Sequence, residues 1–253
     1  MAGHASHLLN AALTPAAAGR RSINIVRIFP QVFATCSLVA FAAPVVKSFY
    51  LANDPIVAHF MGSALKAVPA LPVAFTMAGY VLQVFSGTPR RSAIALTLIG
   101  SSVALGVQAN SVGVNALRLG ASFAAADCES FTSKHELEEE WVAAYELHST
   151  CEAEFLLQHC KDYTEQAVRH PGWAFLGGME QRYSCAGWCK PREPLWTARR
   201  AADSCSAVAA QILNGKVFRD SMQVVVYSIL VLALSSVSLI LLGPSMEEKG
   251  IAW

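Results

Sequence analysis

Six of the seven cysteines fall in one stretch: Cys128, Cys151, Cys160, Cys185, Cys189 and Cys205. Two chemistries suit such a set. The thiols can be oxidised in pairs to disulfides. Alternatively, thiolates such as Cys185 and Cys189 can join His135, His148, His159 or His170 around zinc, which needs about four converging ligands. Other reactive patterns are absent. There is no Gly-rich loop ending in Gly-Lys-Ser/Thr, no Gly-x-Gly-x-x-Gly turn and no His-Glu-x-x-His pair, and nothing marks a nucleophile. The expectation is therefore a non-enzyme with no catalytic residue, metal or cofactor, and His148 reads as a half-buried helix residue.

The elements that must carry these cysteines are set by where charge is missing. The chain has 253 residues, a formal charge of +1 and only 15% charged residues. With so little basic excess, nucleic-acid binding is not expected. Uncharged runs of 19, 23, 26 and 26 residues lie between Arg27 and Lys47, Lys66 and Arg90, Arg91 and Arg118, and Asp220 and Glu247. About 20 apolar residues cross a bilayer as a helix. The runs predict four spans at 28–50, 67–87, 92–114 and 221–243, with Lys47 reaching back to the interface and Pro69 and Pro72 tolerated at the start of the second. Arg20, Arg21, Arg27, Arg90 and Arg91 then mark the cytoplasmic face. The chain divides into a cytoplasmic tail 1–27, spans one to three over 28–114, a large outer loop 115–220, a fourth span 221–243 and a cytoplasmic tail 244–253. Residues 1–21 also have the composition of an organelle-targeting segment.

Between Ser111 and Asp220 lie 15 acids and 11 bases, together with all six clustered cysteines. An even cysteine count on the external face favours disulfides over zinc. Leu137, Trp141, Tyr145, His148, Cys151, Phe155 and His159 recur at helical spacing and predict a helix over 134–168 ending at Pro171-Gly172. Glu136, Glu138, Glu139, Glu140, Glu146, Glu152 and Glu154 would be its solvated side. Residues 171–196 read as irregular. Helix returns over about Thr197–Asn214, with Asn214-Gly215 as a break before span four. Cysteine spacing leaves all 15 pairings open. Trp173, Phe175, Tyr183, Trp188 and Trp196 are candidate partner-binding residues, since aromatics on a fixed loop make strong contacts. The alternative is that they form the core of the small domain.

Four spans, a short first outer loop, a very short inner loop and a large cysteine-bearing second loop resemble a tetraspanin. Cys185-Ala186-Gly187-Trp188-Cys189-Lys190-Pro191 is similar to the Cys-Cys-Gly element of that family, particularly its plant-type Cys-Cys-Lys-Pro form. Trp141 followed by Cys151 and Cys160, and Asp203-Ser204-Cys205 before the last span, match further plant-type features. The departure is Ala186, where the family has a second adjacent cysteine. The resemblance implies a Cys185–Cys205 bridge, closing about 20 residues and contributing roughly 3 kcal/mol, and a partner for Cys189 among Cys128, Cys151 and Cys160. It also implies acylation of cysteines near the cytoplasmic face. Cys36 is the one candidate, though its depth in span one suggests a free core thiol.

The expected fold is thus an all-α membrane protein: a four-transmembrane-helix bundle with a mainly helical, disulfide-stapled extracellular or lumenal domain. The expected role is a multi-pass organiser in the plasma membrane or an endomembrane, with both termini cytoplasmic. It would bind other integral membrane proteins and lipids, with self-association as a further expectation. The first alternative is a structural subunit of a larger membrane complex, including an organellar one. The second is a small transporter or channel, which the absence of mid-span acids and arginines disfavours. Gln108 and Gln223, and small residues such as Gly100, Ser101, Ser102, Ala104, Gly106, Ser235, Ser236 and Ser238, suit packing between helices of one chain.

Overall fold

The computed structural model describes residues 25–62, 70–86, 90–125, 127–129, 131–151 and 156–247, and among these it is all helical and without strands. Helix α1 spans Ile25–Ala52 and a short α2 spans Pro55–Met61. Helix α3 spans Leu71–Ser86. Helix α4 runs over Arg91–Ala124, with a π-turn at Leu96–Gly100. Helices α5 (Thr132–Thr150), α6 (Tyr163–Arg169) and α7 (Gly172–Tyr183) follow. The last, α8, starts as Cys205–Ile212, widens to a π-turn at Leu213–Val217 and continues as Phe218–Glu247.

Among the described residues, three helices are long and apolar enough to cross a membrane: Ile28–Ala52, Arg91–Ala124 and Cys205–Leu241. Helix α3 is apolar but has 16 residues, about 24 Å at 1.5 Å per residue, short of a hydrocarbon core of about 30 Å. Residues 63–69, with Lys66 and Pro69, lie outside the described residues. So do the tail 1–24 with Arg20 and Arg21, residues 87–89, Glu152, Glu154 and Phe155, and the last six residues.

Helices α4 and α8 form the spine. Gly106, Gly113 and Gly120, seven residues apart, lie where α4 meets α8. A Cβ on Gly106 would stand 3.3 Å from Ser228 Cβ, one on Gly113 2.7 Å from Met222 Cε, and one on Gly120 2.2 Å from Asn214 Oδ1. Small residues let two backbones approach this closely and gain dispersion contacts where lipid offers no hydrophobic drive. Packing within one chain is therefore what these small residues serve. Facing residues away from the seam, such as Val107 and Val114 on α4 or Ile229 and Leu230 on α8, are exposed, as a lipid-facing surface requires.

Helix α1 joins the spine through a gap in its own backbone. Pro44 has no N–H, so the Ala40 carbonyl one turn earlier loses its helical donor. The Tyr227 hydroxyl of α8 donates to that carbonyl at 2.5 Å. Seven residues beyond Ala40, Lys47 Nζ sits 3.3 Å from Asp220 Oδ1 and also donates to Gln223 Oε1. Gln223 thus bonds between helices, as its type suggested.

Several expected boundaries are corrected. Helix α4 passes the expected end at 114 and reaches Ala124, because Ala116, Gly120 and Phe123 continue its buried face. Helix α8 begins at Cys205 rather than 221. Asn214-Gly215 does not break it; the chain absorbs the extra residue as a π-turn. The helix expected over 134–168 stops at Thr150. Nine further residues of helix would part Cys151 and Cys160 by about 13 Å, whereas their bridge holds the Cα atoms at 5.8 Å. Helix α6 ends just before Pro171-Gly172 as expected, but a new helix starts there, and 172–183 is helical where an irregular stretch was expected. Trp173, Leu176, Met179 and Glu180 make one buried face at helical spacing, a signal hidden by Gly177-Gly178. Residues 197–204 precede α8 without helix; its start is capped by Ser204 Oγ, which accepts from Ala207 N.

The seam yields a test. Gly120→Leu and Gly113→Leu should each lower stability by about 1–3 kcal/mol through overpacking. Val107→Leu, on an exposed face, should change it little. Thermal unfolding of purified protein in mild detergent reads the difference, and equal midpoints for all three would refute the seam.

Candidate functional site: the disulfide-stapled aromatic domain

Residues between α4 and α8 fold over the ends of those two helices. Three disulfides hold them: Cys128–Cys189, Cys151–Cys160 and Cys185–Cys205. The pairing implied for Cys185 and Cys205 is present, and the partner of Cys189 is Cys128. The first bridge fixes the segment just after α4 to the loop that follows α7. The third clamps the end of α7 to the first residue of α8, with Cα atoms 4.9 Å apart. In these pairs Cys185 and Cys189 offer no thiolate. Of the histidines considered with them, His135 Nε2 lies 3.2 Å from Glu139 and His170 Nδ1 3.1 Å from Glu140. Cys36 is free and exposed on α1, so it is not the core thiol expected from its depth.

The turn at Cys185–Cys189 is a docking element for α8. Ser184 ends α7 in the left-handed region (φ 52°). Gly187 follows at φ 71°, where an added Cβ would also meet the Lys190 carbonyl at 2.1 Å; only glycine fits both demands. The carbonyls of Gly187 and Trp188 then accept from the first N–H groups of α8, Cys205 N at 2.8 Å and Ser206 N at 3.1 Å. A helix start leaves such donors unsatisfied. Here the turn supplies the acceptors and the Cys185–Cys205 bridge holds them in place.

The aromatic residues proposed as a contact surface occupy the interior. Trp173, Phe175, Trp188 and Trp196 are buried, Trp188 completely, and Tyr183 is half-buried with its hydroxyl enclosed. The reading of these five as exposed partner contacts is thus corrected to the core reading. The physical reason is local: a domain of this size has few aliphatic residues and fills its centre with rings. Trp188 meets Phe123 of α4 at 5.6 Å and Phe175 at 5.9 Å. Phe60 of α2 contacts both Phe123 and Phe175, and the His59 imidazole stacks on Phe175 at 4.1 Å. The ring cluster therefore binds the short α2 loop, the top of α4 and the stapled domain into one body.

Of four charged groups inside this body, Lys134, Asp54 and Glu180 were not singled out by sequence reasoning, and Glu138 was expected on the solvated side of its helix. Lys134 is buried, and its Nζ donates to the carbonyls of Phe123 and Ala125, which end α4. A cation at a helix C-terminus satisfies orphan carbonyls and meets the dipole favourably. Burial lowers its pKa, and Asp127 and Glu138 oppose that. Glu138 accepts from Cys189 N at 2.8 Å and from Arg192 at 3.1 Å, while the Arg192 guanidinium lies over the Trp141 ring at 4.7 Å. Buried Asp54 caps α2 by accepting from Ile56 N, and Lys216 in the α8 π-turn lies 3.6 Å from it. The Tyr183 pKa is raised by burial first and by Asp54 second. Glu180, 1% exposed, accepts from Leu195 N at 3.0 Å and Trp196 N at 2.9 Å. Only the acidic run could have pointed to any of these, and it pointed to solvent. Spacing does not reveal which member turns inward. Glu136, Glu139 and Glu146 of that run are exposed as expected, Glu140 is instead half-buried against His170, and His148 is half-buried on α5.

No protein-family model, curated protein or solved structure matches this chain.

Oxidation state gives a direct check. Denatured, unreduced protein should take one maleimide-PEG, on Cys36, and seven after reduction. Removing the clamp by Cys185→Ser/Cys205→Ser should cost about 2–5 kcal/mol, read by thermal unfolding. Seven labelled thiols before reduction would rule out this bonding pattern.

Proposed function

We propose that the protein is a tetraspanin-like integral membrane organiser. It crosses the bilayer four times, with α3 in the second span, and acts without catalysis. It associates laterally with other integral membrane proteins through its apolar helix faces and binds them through the stapled domain. The observation that carries this reading is the Cys185–Cys205 clamp: a disulfide-bonded helical domain is inserted between two long apolar helices and docked on the first turn of the last one. A rigid domain held at fixed height above two packed spans suits presentation of a recognition face more than passage of a solute.

Since the interior rings are engaged, the contact face moves to what remains exposed. Helix α6 presents Val168, 83% exposed, beside exposed Thr164 and Glu165. The solvent side of α5 presents Glu136, Glu139 and Glu146. An apolar point rimmed by polar groups on a small rigid helix is the better candidate for a protein contact. Arg90 and Arg91 favour a cytoplasmic link between α3 and α4, which supports a stapled domain on the opposite, oxidising side.

Two measurements test the proposal. Epitope tags inserted at Arg90 and at Arg200 should be reached from opposite sides of intact cells, the second without permeabilisation; tags on one side would overturn the four-span arrangement. Mild-detergent pulldown should recover membrane proteins absent from a single-span control, and Val168→Glu should lose part of that set while thermal unfolding is unchanged. Recovery identical to the control would reject the organiser role.

A further inference from the structure

Segment 184–204, between α7 and α8, contains no helix, and its middle is held by few bonds. Leu195 O accepts from Leu157 N at 2.8 Å, and Leu195 N and Trp196 N both donate to Glu180 Oε2. Trp196 lies against Gly177, one turn before Glu180 on α7, and its Nε1 donates to the Tyr163 hydroxyl at 3.3 Å. A single carboxyl oxygen therefore holds two consecutive amides of this strap. The carboxyl is buried, and beyond these amides it meets the Trp141 indole of α5. A buried carboxyl that meets only neutral N–H groups, with no cation beside it, ionises against a desolvation cost that those groups offset only in part.

The surroundings supply no compensating charge. On α5, the nearest groups are the Trp141 indole and Glu140, the latter occupied by His170. The strap offers backbone N–H groups alone, and the Tyr163 hydroxyl is engaged with Trp196. On α7 itself, Arg182 lies over the Tyr183 ring at 5.7 Å. No ion pair to Glu180 exists among the described residues.

We propose that Glu180 is a pH-responsive latch: the strap around Leu195–Trp196 is locked onto α7 while the carboxyl is neutral and loosens when it ionises. Burial raises the Glu180 pKa to about 7, against the opposing pull of the Trp196 and Leu195 amides and the Trp141 side chain. A solvated glutamate titrates near 4.3. Once the strap opens, Glu180 gives up its proton more readily, so the closed form binds more protons. The closed state is fully favoured below the solvated value and loses that advantage as pH rises through about 7. The device sits in the stapled domain and would change its surface between an acidic compartment and a neutral medium. It does not depend on the organiser role.

Hydrogen exchange of the Leu195 and Trp196 amides in the full-length, disulfide-intact protein tests it. After division by intrinsic exchange rates, their protection should fall on the order of 10-fold between pH 5.5 and 8. Protection of α8 amides in the seam should stay constant. Glu180→Gln should abolish the change, and His170→Gln should preserve it, which separates Glu180 from the nearby His170–Glu140 pair. Unchanged protection in the wild type, or the same pH dependence in Glu180→Gln, overturns the latch. Should Glu180→Gln not fold, a carboxyl-carbon NMR titration of wild-type Glu180 still decides. A midpoint below 5.5 would refute the proposal and one near 7 would support it.

Discussion

Close contact between α4 and α8 is the constraint on which the remaining architecture rests. Three glycines at seven-residue intervals keep the two backbones together from Gly106 to Gly120. Because the pairing continues to Asn214, the two helices leave the apolar zone still in register. The stapled domain is what the chain does between those two ends. Its first cysteine, Cys128, follows α4 by four residues, and its last, Cys205, is the first residue of α8. Lys134 closes the end of one helix and the Gly187–Trp188 carbonyls close the start of the other. Each open helix end is thus finished by the domain that it supports.

The aromatic interior and the disulfides divide the labour of a domain with a modest core. Rings supply buried area where aliphatic side chains are few, and cross-links restrain loops that secondary structure does not hold. The cost is a set of buried polar groups that need partners. Lys134, Asp54 and Glu138 find them in helix ends, backbone amides or opposite charges. Glu180 meets only neutral N–H groups. Of these groups it is the buried carboxyl without an opposite charge beside it, and such groups tend to mark responsive sites.

How much of this was legible in the residues depends on the range of the signal. Apolar runs and charge gaps are averages over 20 residues, and they located α1, α4 and the membrane part of α8. The pattern Trp141–Tyr145–His148 located α5 because helical periodicity is local. Glycines misled twice. Gly177-Gly178 read as loop although Trp196 occupies the space that a side chain would need, and Gly215 read as a break although the helix merely widens there. Both outcomes depend on partners distant in sequence. The same holds for the direction in which Glu138, Glu180 and Lys134 point, and for the choice among 15 disulfide pairings. Aromatic residues in a cysteine-rich stretch announce importance, yet the stretch itself does not say whether they face inward or outward.

Pro44 carries a consequence for motion. A helix with an intact backbone ladder is nearly smooth to its neighbour and can slide or rotate with little change in hydrogen bonding. Helix α1 is not smooth: the missing amide at Pro44 leaves one bare carbonyl at Ala40, and Tyr227 occupies it. The pairing exists at a single axial position and a single rotation. A shift of one residue, about 1.5 Å, would leave both the carbonyl and the hydroxyl unpartnered in a low-dielectric setting, at a cost of a few kcal/mol. The proline therefore works as a detent, making α1 a strut of fixed height beside the spine and directing any movement of the protein towards the elements above it.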